Sequence, residues 1–136
     1  MTTWKTEARP LPFTFRVFGL TRERGDHRAA IEARVRAMIE SGLADEVRQL
    51  RALGLTPECQ AYRSVGIPET LAYLEGAITR DELLERIVRA TWALARRQAS
   101  WFRAQPDVSW ISVTGRTAAE VADEIVAVWR SEAGGS

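Results

Sequence analysis

The feature that most constrains the fold is a long helix in the second half of the chain. Residues 79–82 form a capping box, in which the side chains of Thr79 and Glu82 can each bond the backbone N–H of the other. The helical period continues to about Arg103, and Pro106 stops it. One side carries a core-type face: Leu84, Ile87, Val88, Thr91, Leu94, Ala95 and Trp101.

Four more segments have helical period or helical end signals. The first runs from about Asp26 to a stop at Gly42, with Thr21 upstream as a plausible cap, and the second runs from about Leu43 to Leu53. A short helix follows Pro68, and a last one opens at a second capping box over residues 117–120. The residues expected to face inward are Ile31, Val35, Met38, Ile39, Leu43, Val47, Leu50, Val121, Ile125, Val128 and Trp129.

Two short segments have strand character. Residues 13–18 are rich in aromatic and β-branched side chains, and residues 108–113 alternate apolar and polar types. A two-stranded sheet is marginal alone, so the pattern hints at a sheet whose other strands are missing. We therefore expect a mostly α fold, a helical bundle with two short strands at about 13–18 and 108–113, in one domain over residues 1–136.

Charge and composition exclude few functions. The formal net charge of the 136-residue chain is only +1, so the distribution of charge must carry any nucleic-acid argument. Arginine supplies 18 of the 19 basic residues; this suits phosphate binding, but biased codon usage explains it equally well. No stretch is long and apolar enough for a membrane helix. With one cysteine and no export signal, we expect a cytoplasmic location.

Common catalytic signatures are missing from the sequence. It contains no GxxxxGK[ST] phosphate loop, no GxGxxG, no GxSxG and no paired-cysteine zinc spacing. His27 is the only histidine, which excludes a multi-histidine metal site, and we expect it to be exposed in the first turn of a helix. Cys59 is expected to be a bystander rather than a nucleophile, because its only possible histidine partner is remote in sequence.

The long helix carries a stripe of arginines without an intervening acid. Such a stripe is repulsive unless an anion or an acidic partner lies nearby. Two interpretations stay open: a face that binds a polyanion, or a solvated face paired with acids of neighbouring helices. The stripe consists of Arg86, Arg89, Arg96 and Arg103, with Arg97 beside it.

Gln98 interrupts the apolar side of the same helix between Trp92 and Trp101. An amide can read a base edge while aromatic rings stack on a base. Gln98 can equally tie two loops together in a purely structural role.

Three sequence blocks resemble the tRNA dimethylallyltransferase family. Residues 90–103, ATWALARRQASWFR, resemble its pattern ATRxxAKRQxTWFR. Residues 64–69, SVGIPE, with 71–76, LAYLEG, resemble its IGYKE followed by YLxG, and LTRER at 20–24 lies upstream in the same order. The resemblance spans about residues 13–113 and covers only the carboxy-terminal part of the family, without the phosphate-loop half.

The resemblance implies transfer of a dimethylallyl group from its diphosphate to the adenosine beside the tRNA anticodon, after that base is flipped into a channel. The parent family uses dimethylallyl diphosphate and Mg²⁺, and its phosphate loop and general-base aspartate are not matched in this chain. Arg24 corresponds to a diphosphate-binding arginine, a role that suits a fork of donors. The positions matching the tRNA-facing wall of the channel are Gly66, Glu69, Arg89, Arg96, Arg97, Gln98, Trp101 and Arg103.

Departures from the family pattern occur at three positions: Trp92 replaces an arginine, Ile67 a tyrosine and Pro68 a basic residue. We expect the tRNA anticodon stem–loop as the partner, no membrane contact and no turnover by this chain alone. Whether a separate chain supplies the phosphate-loop half stays open. The alternatives are a non-enzymatic RNA-binding module, or a structural remnant whose open sheet edge is covered by another protein.

Overall fold

The computed structural model describes residues 15–133 and confirms a mostly helical fold with two short strands. The elements in chain order are β1 (Val17–Thr21), α1 (Arg24–Glu40), α2 (Leu43–Ala52), a 3₁₀ turn (Gln60–Arg63), α3 (Ile67–Leu74), α4 (Arg80–Arg103), β2 (Val108–Ser112) and α5 (Ala118–Ala133). The chain divides into two compact units. We call residues 22–105 the helical unit, and residues 15–21 with 106–133 the described part of the strand unit.

The helical unit is built on the apolar faces of its four α-helices. Helix α1 packs against α4, and α2 packs against α3. Val47, Leu83 and Ile87 are at most 1% exposed, so they lie at the centre of this core. The buried cluster consists of Ile31, Val35, Leu43, Val47, Leu71, Ile78, Leu83 and Ile87.

Helix α4 begins as its capping box predicts. The Thr79 N–H donates to Glu82 Oε2 at 2.7 Å, and the Glu82 N–H donates to Thr79 Oγ1 at 3.2 Å. The two hydrogen bonds satisfy backbone donors that a helix start otherwise leaves open. They also hold the pKa of the Glu82 carboxyl below its ordinary value, the backbone bond from Thr79 having the larger effect.

Several predicted core positions are wrong. Met38, Leu50 and Leu94 are exposed on their helices, and Trp101 and Trp129 are more than half exposed. The helical period is present at these positions, but other elements in the described part of the chain do not cover them fully. Leu83, which the sequence analysis did not place inward, is among the most buried residues.

In the strand unit, β1 and β2 pair with each other in parallel, with Val17 opposite Val108 and Thr21 opposite Ser112. The second strand matches its prediction. The first starts at Val17 and continues past the expected stop at Gly19, whereas residues 13 and 14 of the prediction lie outside the described residues.

Thr21 is not the cap of α1, contrary to prediction. It ends β1, where its carbonyl accepts a hydrogen bond from the Val113 N–H at 2.8 Å, and Glu23 occupies the N-cap position. Strand pairing therefore takes precedence over the local capping preference of threonine.

The sheet places Gly19 directly under an aromatic ring. A Cβ at Gly19 would lie 2.5 Å from the Trp110 ring and 2.8 Å from Val108 Cγ1. A larger residue would fit there only if the Trp110 ring or Val108 moved, which explains why glycine occupies this position of the strand. Val17 and Leu20 are each more than half exposed, so the sheet leaves apolar side chains uncovered in the described part of the chain.

Helix α5 starts at the second predicted capping box, in which Thr117 and Glu120 bond each other's backbone N–H. Val121 is its buried residue. None of the helices within residues 15–133 has the length and apolarity needed to cross a membrane.

Candidate functional site

The arginine stripe of α4 lies open to solvent. Arg86 has Glu82 one turn away, and its charge contributes to lowering the pKa of that carboxyl. The other four arginines have no carboxylate oxygen within 4 Å in the part of the chain that the structure describes. We call them the arginine face: Arg89, Arg96, Arg97 and Arg103.

Some arginines on the neighbouring helices have carboxylate partners, whereas Arg28 and Arg34 of α1 have none within 4 Å among the described residues. On α1, Arg36 pairs with Glu32 at 3.1 Å, and on α2, Arg51 reaches Glu75 at 3.5 Å. Arg48 pairs with Asp45. The interpretation in which acids of adjacent helices neutralise the α4 arginines is therefore wrong for the arginine face. Four like charges in little more than four turns favour an external anion.

An exposed aromatic pair lies at the end of the arginine face. The rings of Trp101 and Phe102 meet edge to face, with centroids 4.9 Å apart, and the two residues are 61% and 49% exposed. Such rings offer stacking surfaces for unpaired bases. Trp101 was predicted as a site residue and Phe102 was not, although two adjacent aromatic residues near the end of a helix could have indicated a stacking surface.

Gln98 is exposed on α4, so it is not a buried amide that ties two loops together. It lies between Arg97 and the aromatic pair along the helix. Arg96, Arg97, Gln98 and Trp101 are all exposed within the last two turns of α4.

Arg24 lies at the start of α1, against α4 rather than alone in solvent. Its guanidinium carbon is 5.9 Å from the centroid of the Trp92 ring, a cation–π distance. The His27 ring meets the same indole edge to face, with centroids 5.4 Å apart. His27 is consequently half-buried, and the expectation of an exposed histidine is wrong.

Gly66 and Glu69 lie at the start of α3, away from the arginine face along the chain. Gly66 has φ of 101° and is buried, and its N–H donates to Glu69 Oε2 at 2.8 Å. The Thr70 hydroxyl donates to the Gly66 carbonyl oxygen. The Glu69 carboxylate thus closes the first turn of α3, and this contact is sufficient to explain a glutamate at this position.

The described residues do not form a metal site. No group of three or more His, Cys, Asp or Glu side chains within residues 15–133 is arranged to hold an ion.

The fold and the site define a helical domain whose longest helix presents exposed arginines and ends in an exposed aromatic pair. The family model for IPP transferase matches residues 1–105, and the chain belongs to that family.

Relatives and solved structures agree with this assignment. The chain is 39% identical over 118 residues to a tRNA dimethylallyltransferase from Anoxybacillus flavithermus, which covers 86% of this chain and 38% of that protein. A second, from Methylobacterium, is 46% identical over 83 residues. The crystal structure of the tRNA isopentenylpyrophosphate transferase from Bacillus halodurans superposes with a TM-score of 0.79 at 30% identity, over 92% of this chain and 41% of that one.

The chain thus spans between about a quarter and two fifths of the length of these three proteins, 38%, 27% and 41% in turn. The match to the carboxy-terminal part of the family confirms the resemblance drawn from the three sequence blocks.

Proposed function

We propose that this chain provides the tRNA-binding wall of a tRNA dimethylallyltransferase. Its partner is the anticodon stem–loop, whose adenosine beside the anticodon receives the dimethylallyl group. The observation that carries the proposal is the arginine face, four exposed arginines without a carboxylate partner among the described residues. The names of the relatives, tRNA dimethylallyltransferases, support tRNA as the polyanion that this face binds.

Each residue of the site has a role that its chemistry supports. Arg89, Arg96, Arg97 and Arg103 contact backbone phosphates, because guanidinium groups bind phosphate oxygens in pairs. Trp101 stacks on an unpaired base, and Gln98, exposed beside it, reads a base edge.

Arg24 contacts the diphosphate of the dimethylallyl donor, for which a fork of N–H donors is suited. Gly66 and Glu69 shape the loop before α3 near the target adenosine, and the hydrogen bond between them supports a positioning role for Glu69.

Catalysis requires groups beyond those described. The phosphate loop and the general base belong to the part of the family that this chain does not match, and the complete enzyme works in the cytoplasm. With dimethylallyl diphosphate, Mg²⁺ and tRNA, this chain alone therefore gives no turnover. Modification of tRNA by the purified chain alone would contradict this part of the proposal.

Charge reversal tests the RNA contact. The double variant R96E/R97E is compared with R34E/R48E, which makes the same change of net charge at exposed positions of α1 and α2. On single strands, each phosphate contact makes log K fall by about 0.7 for every tenfold rise in salt concentration. One contact therefore makes binding about five-fold tighter at 0.1 M than at 1 M salt. Losing two contacts should therefore weaken binding of a labelled anticodon stem–loop by about 25-fold at 0.1 M salt.

The control variant should change the affinity much less, because its arginines lie off the arginine face. Equal losses in the two double variants would show that net charge, rather than this face, governs RNA binding.

A second candidate function rests on the strand unit. Val17 and Leu20 are exposed on a sheet of two parallel strands, and parallel sheets are normally covered on both faces. A structural remnant covered by another protein would fit this observation as well. Such a remnant would bind no RNA in a salt-dependent manner, so the same titration separates the two functions.

A further inference from the structure

The cluster of Arg24, His27 and Trp92 is not explained by RNA binding or by the core alone. Trp92 is half-buried and packs against the buried cluster of the helical unit, which fixes its ring. Its indole is within cation–π distance of Arg24, and His27 meets the ring edge to face. An anchored ring thus contacts a cation from another helix.

We propose that Trp92 is a positioning residue, which holds the Arg24 guanidinium in place for an anionic phosphate or diphosphate group. This proposal rests on the proposed function, which gives Arg24 the donor's diphosphate. It assigns a role to the position where the family pattern has arginine and this chain has an aromatic ring.

The Trp92 ring orients the Arg24 guanidinium without neutralising its charge. A carboxylate partner would hold Arg24 but would also compete with an incoming anion. Within the described residues, no carboxylate oxygen lies within 4 Å of Arg24, whereas the adjacent Arg22 pairs with Asp26 at 3.2 Å. The face of an aromatic ring attracts the guanidinium without competing for its N–H donors, so these donors remain available to an anion.

The surrounding charges reinforce this effect. Arg89 and Arg96 lie about one helical turn before and after Trp92 on α4, and Arg28 lies one turn after Arg24 on α1. An arginine at position 92 would add one more cation to this group and repel Arg24. The tryptophan replaces that repulsion with an attraction.

His27 also packs against the indole. The two rings lie at 73° to each other with centroids 5.4 Å apart, and rings in this edge-to-face arrangement attract each other. Because His27 is the only histidine, its imidazole gives a single, unambiguous NMR signal that reports the position of the Trp92 ring.

The experiment uses the full chain in four single variants: W92L, W92F, R24Q and W129L. Leucine at 92 keeps an apolar body against the core but removes the ring, whereas phenylalanine restores an aromatic face. Trp129, exposed on α5, provides the matched tryptophan control. Two quantities are measured: the NMR signals of Arg24 Nε–Hε and the His27 ring, and the affinity for inorganic pyrophosphate.

We expect W92L to move both NMR signals toward their positions in an unstructured peptide and to weaken pyrophosphate binding by about two- to five-fold, the usual size of an exposed cation–π contact. W92F should recover most of the affinity, and W129L should behave as wild type. Retention of the amide spectrum outside the cluster shows that each variant is folded.

Three results would overturn the proposal. If W92L leaves the Arg24 signal and the pyrophosphate affinity unchanged while R24Q weakens binding, Trp92 has no positioning role and the diphosphate assignment of Arg24 stands. If R24Q also binds pyrophosphate as wild type does, both assignments are wrong. If W92F is as weak as W92L, an aromatic face does not hold Arg24, and the cation–π basis of the proposal is wrong. Stem–loop binding is measured separately, so failure of the RNA contact is distinguishable from all three.

Discussion

Replacing Glu69 by alanine separates a structural role of this residue from a direct role at RNA. The substitution removes the acceptor of the Gly66 N–H, a 2.8 Å bond from a buried backbone donor to a carboxylate. Hydrogen bonds to charged groups contribute about 1.5–3 kcal/mol, and a buried donor without a partner costs about 1–3 kcal/mol. Because Glu69 is only half-buried, water takes over part of its role, and we expect a loss of about 1–2 kcal/mol in the free energy of unfolding.

The assay is urea unfolding of wild type, Glu69→Ala and Glu69→Gln, with stem–loop binding measured on the same samples. Glutamine keeps a carbonyl acceptor and serves in capping boxes, so Glu69→Gln should recover at least half of the lost stability. Glu32→Ala is the control, because it removes only an exposed pair with Arg36, which contributes little. An unchanged stability of Glu69→Ala together with lost RNA binding would refute the positioning role and place the carboxylate at the RNA.

Three other substitutions test the fold. Thr79→Ala should cost about 1 kcal/mol of unfolding free energy as a lost N-cap, and an unchanged urea midpoint would contradict the cap. Hydrogen bonding lowers the folded-state pKa of Glu82, so the carboxylate stabilises the fold above its unfolded-state pKa, and this stability is lost as the pH falls through the folded-state pKa. Glu82→Gln should therefore make the free energy of unfolding depend less on pH in that acidic range. An unaltered pH profile would count against this role of Glu82. Gly19→Ala should destabilise the strand unit by about 1–3 kcal/mol through its clash with Trp110, seen as faster amide exchange in the paired strands; wild-type exchange rates would show that the ring moves aside freely.

The helices were predictable because their signals are local. Capping boxes at Thr79 and Thr117 and the stop at Gly42 depend on neighbours within four residues, and the structure has helix ends at all three. The buried pair Ile31 and Val35 followed from the same period.

The failures arose where distant parts of the chain decide the outcome. Thr21 has a good capping side chain, but pairing with the strand near Val113 keeps its backbone extended. Trp101 and Trp129 fit the apolar period, yet no other element covers them within the described residues. The spacing of apolar residues identifies one face of a helix, whereas that face is buried only where another element packs against it.

Part of the candidate site was likewise predictable from local sequence, and part depends on contacts between distant residues. The arginine stripe and the aromatic residue Trp101 were visible in the motif of α4, because one helix presents them at regular spacing. The contact of Arg24 and His27 with Trp92 joins residues more than 60 positions apart, and only the packing of α1 on α4 brings it about. No local pattern could indicate that Trp92 serves as the platform.

The most direct test of the account is to locate the RNA on the chain by NMR, following the arginine Nε–Hε signals as an anticodon stem–loop is added. We predict that Arg89, Arg96, Arg97 and Arg103 shift together at low salt and return as salt is raised, while Arg36, Arg48 and Arg51 on α1 and α2 stay in place. Shifts confined to α1 and α2, or no salt-reversible shift along α4, would contradict the claim that the open face of this helix binds tRNA.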